Sequence, residues 1–301
     1  MKRYLWILAL ATAAVAQEAA VELATPTLGY IFDEQARALR AIEGVPGAAA
    51  IGGPMHLGAG LDYVAVSPSR NYAFGYESGA ESMLLLRLDG ITGASTISTL
   101  PRARAWFSAS GEVAAFDLGD RVETWGGLPN QPRRIGEIAT GGLSIDRLAV
   151  SDDGGMVAAL AAGDLYRLTT DSPELLAQGV RDAAFQRGTR DLMALAATRL
   201  VLYGKAEAEN ERILVSGLDD ARAFAISRDQ KKVAIAGTDV TIAALHTDQF
   251  THLETGETSF DTIARAEGDA VFQLRSASGE IWLLDADTEP RLLALATRGD
   301  Q

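Results

Sequence analysis

Between residues 62 and 275 the chain alternates apolar and polar positions with a period of two, and it does so in recurring bursts. Each burst is an apolar alternation, a short polar turn and a second run of small apolar residues. Val64-Ala65-Val66-Ser67-Pro68-Ser69-Arg70-Asn71, Ala105-Trp106-Phe107-Ser108-Ala109-Ser110-Gly111 and Leu148-Ala149-Val150-Ser151-Asp152-Asp153-Gly154 carry it most clearly. Weaker copies stand at Ala183 to Gly188, Phe224 to Asp229 and Thr262 to Gly268. With Ser67, Ser108, Ser151, Gln186, Ser227 and Arg265 taken as equivalent, the copies lie 41, 43, 35, 41 and 38 residues apart. Past each anchor stands a pair of adjacent apolar residues, such as Ala73-Phe74, Val157-Ala158 and Val233-Ala234. Uninterrupted apolar strands are what burial on both faces of a sheet selects.

Each repeat reads as four strands. In the unit beginning at Tyr63 these are residues 63–67, 72–76, 83–89 and 94–100, separated by Pro68 to Asn71, Ser78 to Ala80 and Gly90 to Gly93. Outer hairpins follow at Arg121 to Ile138, Gly163 to Gln178, Thr198 to Val215, Thr238 to Leu253 and Gly279 to Ala296. A period near forty built only from strands predicts an all-β fold, a single β-propeller of four-stranded antiparallel blades. Six complete repeats fill residues 62–301. Ahead of them, residues 28–44 form a closing hairpin resembling an outer pair of strands that lacks its inner half. Residues 46–58, with Gly47 to Gly52, supply one inner strand of a short N-terminal seventh blade. Seven blades are therefore expected; the alternative is a six-bladed ring with the hairpin lapped against its last blade. Asp33 to Ala41 carries a weak helical period but reads as the turn of that hairpin.

The inner hairpins Val66-Ser67-Pro68-Ser69-Arg70-Asn71-Tyr72-Ala73, Val150-Ser151-Asp152-Asp153-Gly154 and Ile226-Ser227-Arg228-Asp229-Gln230-Lys231-Lys232-Val233 resemble those of WD40-like, TolB-type bacterial propeller repeats. The resemblance spans about residues 28–297 and implies the architecture, while this family hosts many unrelated roles. No Gly-His pair opens a repeat and no Trp-Asp closes one; the nearest endings are Phe32-Asp33, Leu88-Asp89 and Leu284-Asp285. That departure favours a degenerate, exported type over an intracellular scaffold.

Composition adds a compartment. Lys2-Arg3, the apolar stretch Tyr4 to Ala13 and the small residues Ala14-Val15-Ala16 predict a signal peptide over residues 1–16, with cleavage before Gln17. The apolar run is too short for a spanning helix. The propeller domain is then 17–301, exported to the periplasm or secreted. Cysteine is absent, which excludes disulfides, a lipidated cysteine and thiolate chemistry. The formal net charge of −13 becomes −15 once Lys2 and Arg3 leave, so nucleic acid and anionic membrane surfaces are poor partners.

Candidate chemistry is sparse. His246 and His252 flank Asp248 on an outer hairpin, but the spacing matches no dense metal motif, and exposed turn histidines account for them. His56 reads as a loop residue. Asp152-Asp153-Gly154-Gly155 is the polar turn of the repeat. Asp285-Ala286-Asp287-Thr288-Glu289 is the best calcium candidate and a weak one. Gly58-Ala59-Gly60 lacks a nucleotide loop's third glycine, and no nucleophile elbow occurs. No catalytic residue, cofactor or metal site is assigned. Pro101-Arg102-Ala103-Arg104-Ala105-Trp106 lies where one blade crosses to the next. Arg102, Arg104 and Trp106 form a patch able to anchor a carboxylate-bearing protein partner. The plainer alternative packs Trp106 between blades and pairs both arginines with acids. The function expected is an exported binding or scaffold module; the alternative is a lactonase- or glycoside-hydrolase-like enzyme with acids or histidines converging in the funnel. Partner identity and oligomeric state are not encoded in these patterns.

Overall fold

The computed structural model describes residues 25–296, apart from 56, 58–59, 89–92, 98–99 and 248. These residues form seven antiparallel sheets, six of four strands and an N-terminal one of three, arranged as a seven-bladed propeller. Blade 1 contains β1 (Thr27–Asp33), β2 (Ala38–Glu43) and β3 (Ala50–Pro54). Blade 2 is β4 (Leu61–Val66), β5 (Tyr72–Glu77), β6 (Met83–Arg87) and β7 (Gly93–Ile97). Blade 3 is β8 (Ala105–Phe107), β9 (Val113–Asp117), β10 (Arg121–Gly126) and β11 (Arg133–Ala139). Blade 4 is β12 (Arg147–Val150), β13 (Val157–Ala161), β14 (Asp164–Leu168) and β15 (Glu174–Ala177). Blade 5 is β16 (Val180–Phe185), β17 (Leu192–Ala196), β18 (Arg199–Tyr203) and β19 (Glu211–Ser216). Blade 6 is β20 (Ala223–Ile226), β21 (Lys232–Ala236), β22 (Val240–Ala244) and β23 (Phe250–Leu253). Blade 7 is β24 (Phe260–Arg265), β25 (Val271–Ser276), β26 (Ile281–Asp285) and β27 (Arg291–Ala294). Two 3-10 turns, Gly204–Ala206 and Ala208–Asn210, are the helical residues among those described.

In blades 2–7 the strands run outwards in sequence order as a, b, c and d. The repeat anchor closes the a–b turn by a backbone bond from its N–H to the residue five further on. The pairs are Ser67–Tyr72 at 3.0 Å, Ser108–Val113 at 2.9 Å, Ser151–Met156 at 3.0 Å, Gln186–Asp191 at 2.9 Å and Ser227–Lys232 at 2.8 Å. The four serines are buried. Two of their hydroxyls reach an acid two residues on, Ser151 to Asp153 at 2.6 Å and Ser227 to Asp229 at 2.7 Å. In blade 7 the same backbone bond runs from Ala266 to Val271 at 2.9 Å. The sixth anchor is therefore Ala266 and not Arg265. Arg265 pairs with Phe272 in the register that Val66 holds with Ala73, as the last residue of the innermost strand.

Blade 1 departs from the expectation. In blades 4, 5 and 6 the carbonyl of the b–c turn accepts an N–H at the entry to strand a of the next blade: Gly163 from Val180 at 2.7 Å, Thr198 from Leu218 at 2.8 Å, Gly237 from Phe260 at 2.8 Å. Arg37 accepts from Leu61 in the same way at 3.0 Å, so the turn between β1 and β2 is a b–c turn. A second recurring bond agrees. The residue after strand c donates to the residue before strand b, as Leu88 to Asn71 at 2.9 Å, Ala286 to Ala270 at 2.9 Å and Gly44 to Pro26 at 2.8 Å. β1, β2 and β3 are thus strands b, c and d. The hairpin at 28–44 is real, but it is the b–c hairpin, and residues 50–54 form the outermost strand where an inner one was expected. No strand a of blade 1 occurs among the described residues.

Blade faces are apolar on both sides and are covered only by the neighbouring blades. Ala149, Leu160 and Leu165 of blade 4 share one buried cluster with Phe185, Leu192 and Val201 of blade 5. The ring closes through blade 1. Ile42 and Leu28 pack against Val271, Ile281 and Leu283 of blade 7, while Leu39 packs against Leu61, Ala73 and Leu86 of blade 2. Backbone bonds Ile51 to Ala296 at 3.1 Å and Glu267 to Leu28 at 2.6 Å complete the seam. Asp182, buried at the start of β16, accepts the N–H of Phe224 at 3.0 Å and lies 3.0 Å from the Arg147 guanidinium, which ties the innermost strands of blades 4, 5 and 6 together. Burial raises its carboxyl pKa, and Arg147 opposes the rise.

Two outcomes follow from this packing. Ile42→Ala opens a hole in the closing seam, and urea titration should show a loss of about 2–5 kcal/mol; a loss below 1 kcal/mol would mean that blade 1 does not close the ring. The Ser151 hydroxyl and then the Gly155 amide and Arg190 hold the Asp153 carboxyl down at about 2, against desolvation. An acid held down when folded adds stability above its unfolded pKa and loses it as pH falls from about 4 towards 2. Asp153→Asn should accordingly flatten the decline of the melting temperature in that window while leaving the decline above pH 5 unchanged.

Candidate functional site

The six first strands surround a central channel, a cavity of about 390 Å³ to which Gly29 and Tyr30 of β1 also contribute. Its walls are mostly small or apolar: Ala65, Ala149, Ala184, Ala225 and Ala264 sit at matching places on five of those strands. No Asp, Glu or His among the described residues lines it. At the mouth beside the blade crossings a second cavity of about 600 Å³ shares Tyr30, Val66, Ala264 and Gln273 with the channel and is lined also by Glu34 and Asp62.

The channel joins two unlike faces. One carries the d–a crossings and b–c turns, here the crossover face; the other carries the a–b and c–d turns, here the hairpin face. Arg102 and Arg104 lie on the crossover face, in the link from blade 2 to blade 3, and both are exposed. The Arg102 guanidinium carbon stands 4.4 Å from the centre of the Tyr76 ring, and that of Arg104 5.3 Å from the centre of the Trp106 ring. Tyr76 stacks on Tyr63, ring centres 4.9 Å apart. The Tyr63 hydroxyl accepts the Ala105 N–H at 2.8 Å and donates to the Ala105 carbonyl at 3.2 Å. Desolvation pushes this phenol up to about 12, so it is neutral. The patch Arg102, Arg104 and Trp106 is thus brought together, with Tyr63 and Tyr76 as its floor. Trp106 is half-buried, packs in part against the blade 3–blade 4 cluster and lines the channel, as the plainer alternative had it. The arginines do not follow that alternative: among the described residues neither has an ion pair, and each rests on an aromatic face. Cation–π contact of this kind holds a guanidinium in place and leaves its N–H edge available.

The other sequence candidates disperse. His252 Nδ1 lies 3.0 Å from the Thr241 hydroxyl on an outer strand, away from the channel. His56 and Asp248 are outside the described residues, and among those described no group of three potential metal ligands occurs. At the Asp285 to Glu289 turn, the carbonyls of Ala286 and Asp287 accept from Lys232 Nζ at 2.5 and 2.7 Å, so an ammonium already uses the oxygens a cation would need.

Residues that the sequence patterns did not single out gather at the hairpin end of the channel. Arg70, Arg187, Arg228 and Arg265 come from blades 2, 5, 6 and 7 to line one small cavity there. The signal was present: four of the six inner hairpins carry an arginine in or beside the a–b turn, but at different offsets from the anchor, so no column of the repeat displays it.

No protein-family model and no curated protein matches the chain. Solved structures do resemble it. The WD40 repeats of RRP9 superpose with a TM-score of 0.55 at 10% identity, over 79% of this chain and 80% of that one. Hsv2 from Kluyvelomyces marxianus gives 0.51 at 16% identity over 90% and 97%, and U3-55K gives 0.55 at 11% identity over 79% and 81%. At such identities the likeness establishes the fold: a WD40-like seven-bladed propeller.

The contacts around Arg104 and Tyr63 predict opposite outcomes. Arg102→Ala and Arg104→Ala remove exposed heads from aromatic faces and should each change stability by less than about 1 kcal/mol. Tyr63→Phe strands the Ala105 N–H at a blade crossing and should cost about 1–3 kcal/mol. Thermal melts of the three variants separate the two cases.

Proposed function

We propose that this chain is an exported propeller of the degenerate TolB-like type, working as a protein-binding module through the crossover face between blades 2 and 3. The observation that carries the reading is the pair of guanidinium groups, Arg102 over Tyr76 and Arg104 over Trp106, held in place without an acidic partner among the described residues. The chain as a whole carries a formal net charge of −13. Aromatic residues and arginine are the residue types that dominate binding energy at protein interfaces. A rigid ring also presents its loops with little ordering cost. The partner surface that complements the patch is an acidic segment whose carboxylates meet the two guanidinium edges. No helix among the described residues is long and apolar enough to cross a membrane. Export rests on residues 1–16, whose charged, apolar and small-residue zones have the order of a cleaved signal.

The test joins the two parts. N-terminal sequencing of the protein recovered from the envelope fraction is expected to begin at Gln17. Crosslinking of that protein in a native envelope extract is expected to capture one or two partners in wild type, to lose them in the Arg102→Glu/Arg104→Glu variant and to keep them in Arg212→Glu, which changes charge on an outer strand. Equal capture by all three proteins would overturn the crossover face as the working surface.

A further inference from the structure

We infer that the arginine-lined cavity at the hairpin end of the channel is a binding site for a small multivalent oxyanion of the phosphate class. The cavity measures about 110 Å³ and is bounded by Arg70, Arg187, Arg228 and Arg265, with Ser69 and Ser110 beside them. It shares Pro68, Arg70, Ala109 and Arg265 with the channel, so the arginines cap that end of the ring.

Bringing four guanidinium groups to one cavity costs electrostatic energy unless carboxylates or a ligand offset it. The carboxylates account for two of the four. Glu267 lies between Arg70 and Arg228, taking an N–H from Arg228 at 2.9 Å and one from Arg70. Arg70 gives another to the Ala266 carbonyl at 2.9 Å. Asp152, the next acid, accepts the Ser110 and Gly188 amides at 2.7 Å each, and its charge offsets part of the repulsion on Arg265 without an ion pair to it. Arg187 and Arg265 have no ion pair among the described residues. Arg265 is half-buried and donates only to the Ala109 carbonyl of blade 3 at 2.8 Å, across the ring from its own blade. Desolvation first, and then the charges of Arg70, Arg187 and Arg228, bring its pKa down to about 10. It remains a cation at neutral pH, held where cations are disfavoured.

The chemistry of the ligand follows from this arrangement. Guanidinium groups are planar forks that match the oxygens of phosphate and sulfate, and the bonds they make there are charge-assisted and short. Arg187 and Arg265, without an acid of their own, and Arg70 and Arg228, which share Glu267, reach the cavity from four blades and suit an anion with oxygens pointing in several directions rather than a flat carboxylate. The rest of the protein is acidic, so no general cationic field explains the cluster.

The probe is inorganic phosphate, titrated into the full protein at constant ionic strength with chloride as the balancing ion, and read by calorimetry and by thermal melts. Saturable binding with a rising melting temperature is expected for wild type. Arg187→Gln, an exposed change that leaves the packing intact, should weaken binding about tenfold or more, as should Arg265→Gln. Arg212→Gln, the same charge change elsewhere, should bind as wild type does. Should Arg265→Gln fail to fold, Arg187→Gln alone decides. Methyl phosphate binding at least as tightly as inorganic phosphate would identify a phosphate ester as the ligand, and weaker binding the free ion. Equal effects of phosphate and chloride, or an Arg187→Gln protein that binds phosphate like Arg212→Gln, would overturn the site.

Discussion

A blade of this propeller cannot bury itself. Its inner strands, such as Val157-Ala158-Ala159-Leu160-Ala161 and Leu192-Met193-Ala194-Leu195-Ala196, are buried along their whole length, with apolar side chains on both faces of the sheet. Only another blade can cover each face, so every blade depends on two neighbours and the ring must close on itself. Ring closure is therefore the constraint on which the other features rest, including the choice of Ala where strands approach the axis. It also explains why blade 1 is tied at so many points: Ile42 and Leu28 to blade 7, Leu39 to blade 2, and the Ile51–Ala296 bond at the outer rim. A chain without cysteine has no disulfide to replace this packing.

The same constraint decided what could be read from sequence. Burial on both faces leaves a loud pattern, and where a serine turn precedes them the adjacent pairs Ala73-Phe74 and Val233-Ala234 mark second strands. Serine anchors were legible because each is a buried hydroxyl serving its own turn, a local use that fixes residue type. Two readings failed where those cues lapse. In blade 7 the anchor position holds Ala266, which has no hydroxyl, and the neighbouring Arg265 was taken in its place. A slip of one residue in a period-two strand turns every side chain to the opposite face. In blade 1 no serine turn precedes β1 among residues 25–33, so strands b and c were read as c and d. Second and third strands are both two-sided and apolar, and only backbone bonds such as Arg37–Leu61 distinguish them.

The two arginine clusters were legible to different degrees for a related reason. Arg102, Arg104 and Trp106 stand at alternate positions of one short link between blades, so the sequence alone exposed the patch. What it could not give was Tyr76 and Tyr63 beneath it, contributed by strands of the preceding blade. The arginines of the hairpin face are spread over residues 70 to 265 and come together because the a–b turns of blades 2, 5, 6 and 7 share one rim. Closure converts distant turn residues into neighbours, and no local pattern records that.

Charge is distributed accordingly. Acids and bases alternate as pairs over much of the outer surface, for example Arg167 with Glu174 and Arg222 with Asp261. Such exposed pairs contribute little to stability and much to solubility. The two ends of the channel break the rule in different ways. At the crossover face guanidinium groups rest on aromatic rings, where the ring quadrupole holds them without neutralising them. At the hairpin face they crowd one another around a small cavity, where desolvation and like charge both act against them. The ring thus holds guanidinium groups at both ends of its channel by two different means, aromatic support at one and backbone and Glu267 contacts at the other.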